Sequence, residues 1–265
     1  MKLFNKLHLK SNRDKCAQNI VNSRFIKYLS QDVLTRLELI DLEFIDILII
    51  GAHGPFMPEL LKKKYPNSQI TVTNSSKNIL DRIDSTFQKI NIDEDDISLD
   101  ITQKRFDLIV FLVDLHWVNN IPKFLSDIRN ILTQKGLFLG NFIGGPSLWN
   151  LRSKLISIEE ILKDKHSSRV PPFIHFDDVH NLFSKANFKE IIIDYEKIEL
   201  EYSNLLKLMY EIKSIGQSNI ANNKTHYSIS KKMLKILQCE NDVFHDYVYL
   251  VSYIASPTQG LCLIK

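Results

Sequence analysis

The feature that most constrains this chain is a nearly continuous apolar run, Ile45 to Ile50, that passes straight into Gly51-Ala-His-Gly-Pro55. A strand buried on both faces of a parallel sheet needs such a run, because water reaches neither side of it. Pro58 sits at the start of the following helical segment, where its missing N–H costs nothing since first-turn donors have no partner inside the helix. The alternation continues with strand 69–73, helix 75–87, strand 106–113, helix 121–132 and strand 136–142. In the helix over 121–132, Ile121, Phe124, Leu125, Ile128, Ile131 and Leu132 form one stripe, Asn119 or Asn120 caps the start, and Gly136 closes the following turn. A β-α series of this kind predicts a mainly parallel sheet covered by helices.

The second half predicts helices over 148–162, 177–186 and 205–215 and strands over 190–195 and 247–254. Ahead of the first strand, Ile26, Leu29, Val33, Leu37 and Ile40 recur at helical spacing, which predicts an amphipathic helix or helix pair acting as a lid or brace. The expected division is a helical lid over 1–44, one α/β domain over 45–255 and a short tail over 256–265.

Composition narrows the function classes. Thirty-four Lys+Arg against 31 Asp+Glu leave a net charge of +3, too little to argue for nucleic acid without a basic cluster; Lys62 to Lys64 reads as a solvated helix face. Cys16, Cys239 and Cys262 are widely spaced and contain no CxxC pair, so neither a disulfide framework nor a metal site is expected. No stretch approaches the roughly 20 apolar residues of a membrane-spanning helix, and the basic start lacks the apolar core of a signal peptide. A soluble, unsecreted protein of a reducing cytoplasm is expected.

A parallel sheet binds ligands at the carboxyl ends of its strands, and the first strand-turn-helix is the usual cradle. Position therefore nominates 51–56. A nucleoside cofactor needs a turn without side chains and an acid at the end of the second strand to take the ribose hydroxyls. Here only Gly51 and Gly54 are glycines, His53 and Pro55 add bulk, and the second strand ends in Asn74-Ser75. A neutral amide makes a weaker hydrogen bond than a carboxylate.

Phe106-Asp-Leu-Ile-Val with Leu115-His-Trp-Val-Asn-Asn-Ile-Pro resembles the fourth strand and following loop of the class I S-adenosylmethionine (SAM) methyltransferases. Phe142-Ile-Gly-Gly-Pro-Ser-Leu-Trp-Asn-Leu-Arg152, Pro172-Phe, Leu208-Met-Tyr-Glu-Ile and Gly216-Gln-Ser-Asn219 resemble the respiratory complex I assembly factor branch, related to the malonyl-carrier-protein methyltransferases of biotin synthesis. The resemblance runs from about Leu3 to Ile254. It implies a Rossmann-like α/β fold with a seven-stranded, mainly parallel sheet, helices on both faces, an antiparallel final hairpin and an N-terminal helical lid. It also implies SAM as cofactor, with contacts at Gly51, His53, Gly54, Asn74, Ser75, Asp95, Asp96, Phe111 and Val113. The departures gather at that site: the glycine loop reads Ile49-Ile-Gly-Ala-His-Gly-Pro55, Asn74 stands for an acid, and Phe111 stands for a small polar residue. A relaxed or lost cofactor site is one expectation, and a cofactor pose adapted to the loop is the other.

Methyl transfer needs positioning more than a dedicated base, so no catalytic pair is required. His116 is a candidate substrate wall and proton acceptor, with packing as the competing role; Trp117 reads as packing. Arg152 is a candidate for holding a carboxylate or a helix end. His175 and Asp177 form a candidate charge pair, with a helix cap at Asp177 the commoner role. Gly216 and Asn219 read as a helix stop. The functions that follow are methyl transfer, or the arginine hydroxylation of the mitochondrial branch, on a respiratory complex I subunit or other protein substrate. A non-catalytic assembly scaffold and malonyl-carrier methylation are the alternatives.

Overall fold

A computed structural model describes residues 2–97, 101, 104–162, 168–222, 229–239 and 242–260. Two helices, α1 (Lys6–Ile20) and α2 (Arg24–Glu38), precede a seven-stranded sheet. The strands are β1 (Asp46–Ile50), β2 (Gln69–Thr73), β3 (Gln88–Ile90), β4 (Phe106–Val113), β5 (Leu132–Gly144), β6 (Glu190–Tyr202) and β7 (Phe244–Ser256), in spatial order β3-β2-β1-β4-β5-β7-β6. The first five are parallel, and β7 enters antiparallel between β5 and β6. The strand order reverses between β1 and β4, which puts the end of β1 at the switch point where such sheets bind ligands. This is the Rossmann-like α/β architecture expected from the sequence.

The remaining helices are α3 (Phe56–Lys64), α4 (Lys77–Leu80), α5 (Ile121–Ile131), α6 (Trp149–Leu162), α7 (Phe176–Lys185), α8 (Leu205–Ser214) and α9 (Lys231–Cys239). One side of the sheet packs against Leu29, Val33 and Leu37 of α2 and Leu61 of α3. The other packs against Phe124, Leu125 and Ile128 of α5 and Phe183 of α7. Asn120 caps α5 by accepting from the Lys123 amide.

Several expectations are corrected. The helix expected over 75–87 shrinks to α4, because Asp84 accepts from the Thr86 amide in a turn that ends helical pairing. The three residues Gln88-Lys89-Ile90 that follow pair with β2 as an edge strand with no apolar run to announce it. β6 continues to Tyr202 through exposed, charged positions, since its hydrogen bonds to β7 persist where its side chains face water. α9 was not expected at all. Among the described residues no helix is long and apolar enough to cross a membrane, and no His/Cys/Asp/Glu group is arranged to hold a metal.

Candidate functional site

The turn after β1 has the backbone that its glycines permit. Gly51 has φ +61° and Gly54 φ +122°, conformations that a side chain disfavours. The space over Gly51 is occupied by side chains. A Cβ placed there would lie 3.1 Å from Glu94 Oε1, 3.4 Å from the Phe111 ring and 3.5 Å from Asp114 Oδ2. A Cβ on Gly54 would lie 3.1 Å from Val21, just past the end of α1, so α1 is pressed down over the turn.

From α1, Arg13 reaches into this space and is fully buried (0% exposed). Its Nη1 donates to Glu94 Oε1 at 2.5 Å and to Ser75 Oγ at 2.9 Å, and its Nη2 to Asp114 Oδ2 at 2.7 Å. Lys6 Nζ adds a contact to Glu94 Oε2 at 3.3 Å. His53 Nε2 stands 2.7 Å from Asp114 Oδ2, and its Nδ1 is buried without a hydrogen-bond partner. Burial alone would push both carboxyls up; for Asp114 the opposing effects of His53 and Arg13 prevail and hold it well below the usual carboxylate range. For Glu94, Arg13 and then Lys6 do the same. Arg13, Glu94 and Asp114 were missed by sequence reasoning, since nothing local to an arginine in an N-terminal helix announces that it is buried.

The other expected cofactor residues are engaged elsewhere. Asn74 donates to the Ala52 carbonyl and accepts from the Ser76 amide, so both ends of its amide are used. Asp95 accepts from the backbone and side-chain nitrogens of Asn119, and Asp96 is exposed. Phe111 is packed against Phe124.

A second region lies past the end of β4. Val113, His116 and Trp117 line a cavity of about 450 Å³ together with Leu155, Phe173, Met209, Ile215 and other largely apolar residues. His116 is 5% exposed, its ring lies between Trp117 and Phe173, and its Nδ1 has no hydrogen-bond partner. Burial pushes its pKa down to about 4, so it is a neutral imidazole near pH 7. Trp117 is a packing residue: its ring meets Phe4 edge-on and its Nε1 donates to Gln217 Oε1. Gln217 also donates to Asp114 Oδ1 and lines the cavity, so one side chain joins the two regions.

Of the remaining candidates, Arg152 donates to the Pro171 carbonyl and meets no carboxylate there. His175 lies 3.3 Å from Asp177, both exposed, and neither lines the cavity. His175, not Asp177, is the N-cap residue of α7. Gly216 follows α8 with φ +75°, while Asn219 donates to the Ser168 carbonyl and accepts from the Ala221 amide.

Residues 48–140 match a family described as "Methyltransferase domain". RP459 of Rickettsia prowazekii, named a methyltransferase without a stated substrate, is 43% identical over 86% of this chain and 99% of its own length. The chain belongs to the class I methyltransferase family. The mitochondrial arginine-hydroxylase NDUFAF5 of Rattus norvegicus is 28% identical over 67% of this chain, which spans 52% of that protein. Malonyl-[acyl-carrier protein] O-methyltransferase 2 of Ilyobacter polytropus is 26% identical over 71% of the chain and 72% of its own length. Among solved structures, the plantazolicin methyltransferase BpumL, in complex with a pentazolic desmethylPZN analog and SAH, shares the fold. It has a TM-score of 0.51 and 14% identity, covering 94% of this chain and 97% of that one.

The methyltransferase family's cofactor is SAM, and the sequence resemblance assigns its contacts to the crevice over Gly51. With Arg13 seated the residues do not fit it: Glu94, Asp114 and the guanidinium fill the space, and Asn74, Ser75 and Asp95 have their polar atoms committed.

Proposed function

We propose that this methyltransferase-family protein is of the complex I assembly factor type, acting on or binding a respiratory-chain subunit through the apolar cavity beside the Gly51 turn. S-adenosylmethionine is the cofactor that the family and the fold support. The observation that carries the reading is the adjacency of the two regions: Val113 and His116 line the cavity while Asp114, between them in sequence, stands over Gly51. A reacting group in the cavity and a cofactor over the turn would meet at the end of β4. Residues 1–44 are read as the lid of the single α/β unit, and the compartment as the cytoplasm of a bacterium or the matrix of a mitochondrion.

The filled crevice favours a second reading, a scaffold that keeps the fold and its protein-binding surface without the cofactor. Malonyl-carrier methylation has less support, because the cations near the cavity are already engaged: Arg169 pairs with Glu159 at 2.6 Å and Arg152 with Pro171. An acid substrate would have to compete with Glu159 for Arg169 and with the Pro171 carbonyl for one donor of Arg152. Titration calorimetry with SAM and S-adenosylhomocysteine, followed by transfer of labelled methyl from SAM to respiratory subunits, separates these readings. Micromolar binding with label in one subunit supports the enzyme. No heat at millimolar ligand, with retained binding to a subunit, sinks the methyltransferase reading and leaves the scaffold.

A further inference from the structure

The cavity beyond Val113 is walled by regular elements. Leu151 and Leu155 come from α6, Leu208 and Ile212 from α8, Leu200 from β6 and Val248 from β7. Its volume of about 450 Å³ is far beyond the water-sized voids of an ordinary interior and falls within the roughly 300–1,000 Å³ of small-molecule sites. The polar groups in the wall are largely engaged by the protein itself. Gln217 accepts from Trp117 Nε1 and donates to Asp114, and Asn219 donates to the Ser168 carbonyl and accepts from the Ala221 amide. Ser168 Oγ donates to the Val170 carbonyl, and the Tyr202 hydroxyl bonds to Glu211. Arg169 is held by the buried Glu159, and burial keeps His116 a neutral imidazole near pH 7.

These features select what can enter. A carboxylate or phosphate would have to compete with Glu159 for Arg169, and an ammonium with Tyr202 for Glu211, and each would give up its water for a mainly apolar wall. A peptide segment brings an N–H and a C=O with every residue, and wall groups already engaged offer them little. A hydrocarbon asks only for contact. We propose that the cavity is a binding site for a neutral lipophile, a small molecule that is mostly hydrocarbon and carries no charge. The inference rests on the reading above, in which this cavity is the working pocket, and narrows it: the molecule inside is a lipophile, and a partner subunit keeps the surface around the mouth. Val113 and His116 lie in the wall, so the lipophile is held at the end of β4. Affinity follows the hydrocarbon buried, and each methylene that still enters the wall raises it about 4-fold.

The test uses the full chain and the neutral fluorophore N-phenylnaphthylamine, with Met209→Trp as the site variant. Met209 lines the cavity and is only half-buried, so a larger ring there takes up the space without disturbing the centre of the core. The wild type binds the probe saturably, one molecule per chain, and the variant binds it roughly 10-fold more weakly. Hexanol, octanol and decanol displace the probe with rising strength, about 4-fold per added methylene, while octanoate and octylammonium are roughly 10-fold weaker than octanol. Displacement by either ion as strong as by octanol overturns the neutral class. Probe uptake that does not saturate, or that is equal in the variant, overturns the site. Displacement by an apolar peptide and not by the alcohols assigns the cavity to a protein segment and overturns the lipophile. None of these readouts uses SAM or a transferred methyl. A chain that binds the lipophile and is indifferent to SAM sinks the methyltransferase reading alone, and a chain that transfers methyl without binding the probe sinks this inference alone. Should Met209→Trp fail to fold, Met209→Asp, which sets a charge in the same wall, takes its place with the same expected loss.

Discussion

The crevice over Gly51 and the cavity beyond Val113 lie side by side at the carboxyl end of the same sheet, yet they are built from opposite materials. The crevice is closed by ionised groups, Arg13 between Glu94 and Asp114, whereas the cavity is open and lined mainly by apolar side chains around a neutral His116. The difference teaches where each region stores its free energy. Charges buried together hold one another in place but leave a large debt if one is removed. An apolar wall tolerates a vacancy, since each lining residue loses only part of its contacts.

The largest effect that would break the comparison is removal of the guanidinium. Arg13→Met keeps an unbranched side chain but removes the guanidinium and strands two buried carboxylates. It is expected to destabilise the chain by about 3–5 kcal/mol, read from denaturant unfolding. A loss below about 1 kcal/mol would mean that the crevice is not held by charge.

The next effect is a pH dependence that separates the regions. His116 has its pKa pushed down to about 4 by burial, while an unfolded histidine titrates near 6.5. Between those values the unfolded chain binds the additional proton, so stability falls as the pH is lowered, by about 2 kcal/mol from this group at pH 5. Glu94 and Asp114, held below the ordinary carboxylate range, keep their charge through this window, and their contribution is lost only as pH falls through their lowered values. His116→Phe should therefore flatten the fall between pH 7 and 5 relative to the wild type. An unchanged slope would show that His116 is not the group buried neutral.

A smaller effect tests how closely the crevice is packed. Gly51→Ala meets a φ of +61° and the Glu94 carboxylate at 3.1 Å, and is expected to cost about 1–2 kcal/mol by equilibrium unfolding. A neutral result would mean that the carboxylate yields freely and that the crevice is looser than its contacts indicate.

The two regions were also unequally legible. The Ile45–Ile50 run and Gly51 placed the crevice, because a doubly buried strand and a positive-φ turn leave local marks in sequence. What fills it was not legible: Arg13 lies on a helix read only as a brace, and Glu94 stands beside Asp95, the acid that the family resemblance nominated but that is bound to Asn119. The cavity left fewer marks, since its wall is collected from residues as far apart as Phe25 and Val248. The same contrast holds in the fold. Helix α5 was read from its stripe, whereas β3 is three residues whose strand character comes from pairing with β2 and not from their own composition.

The smallest expected effect falls on the boundary itself. Val113 has φ +69° and ψ −50°, close to the strained turn in which the chain reverses over three residues. A β-branched residue there is an outlier, and it is the step at which β4 turns Asp114 toward the crevice while Val113 remains at the cavity wall. Elsewhere glycine is the less stable choice than alanine by about 0.5–1 kcal/mol. At this position the order should invert. Val113→Ala and Val113→Gly both give up the buried isopropyl group, but only glycine relieves the backbone, so the glycine variant should be the more stable by about 1 kcal/mol. Alanine proving the more stable would mean that the turn relaxes without cost, and that the division between the charged crevice and the apolar cavity is held by side chains alone.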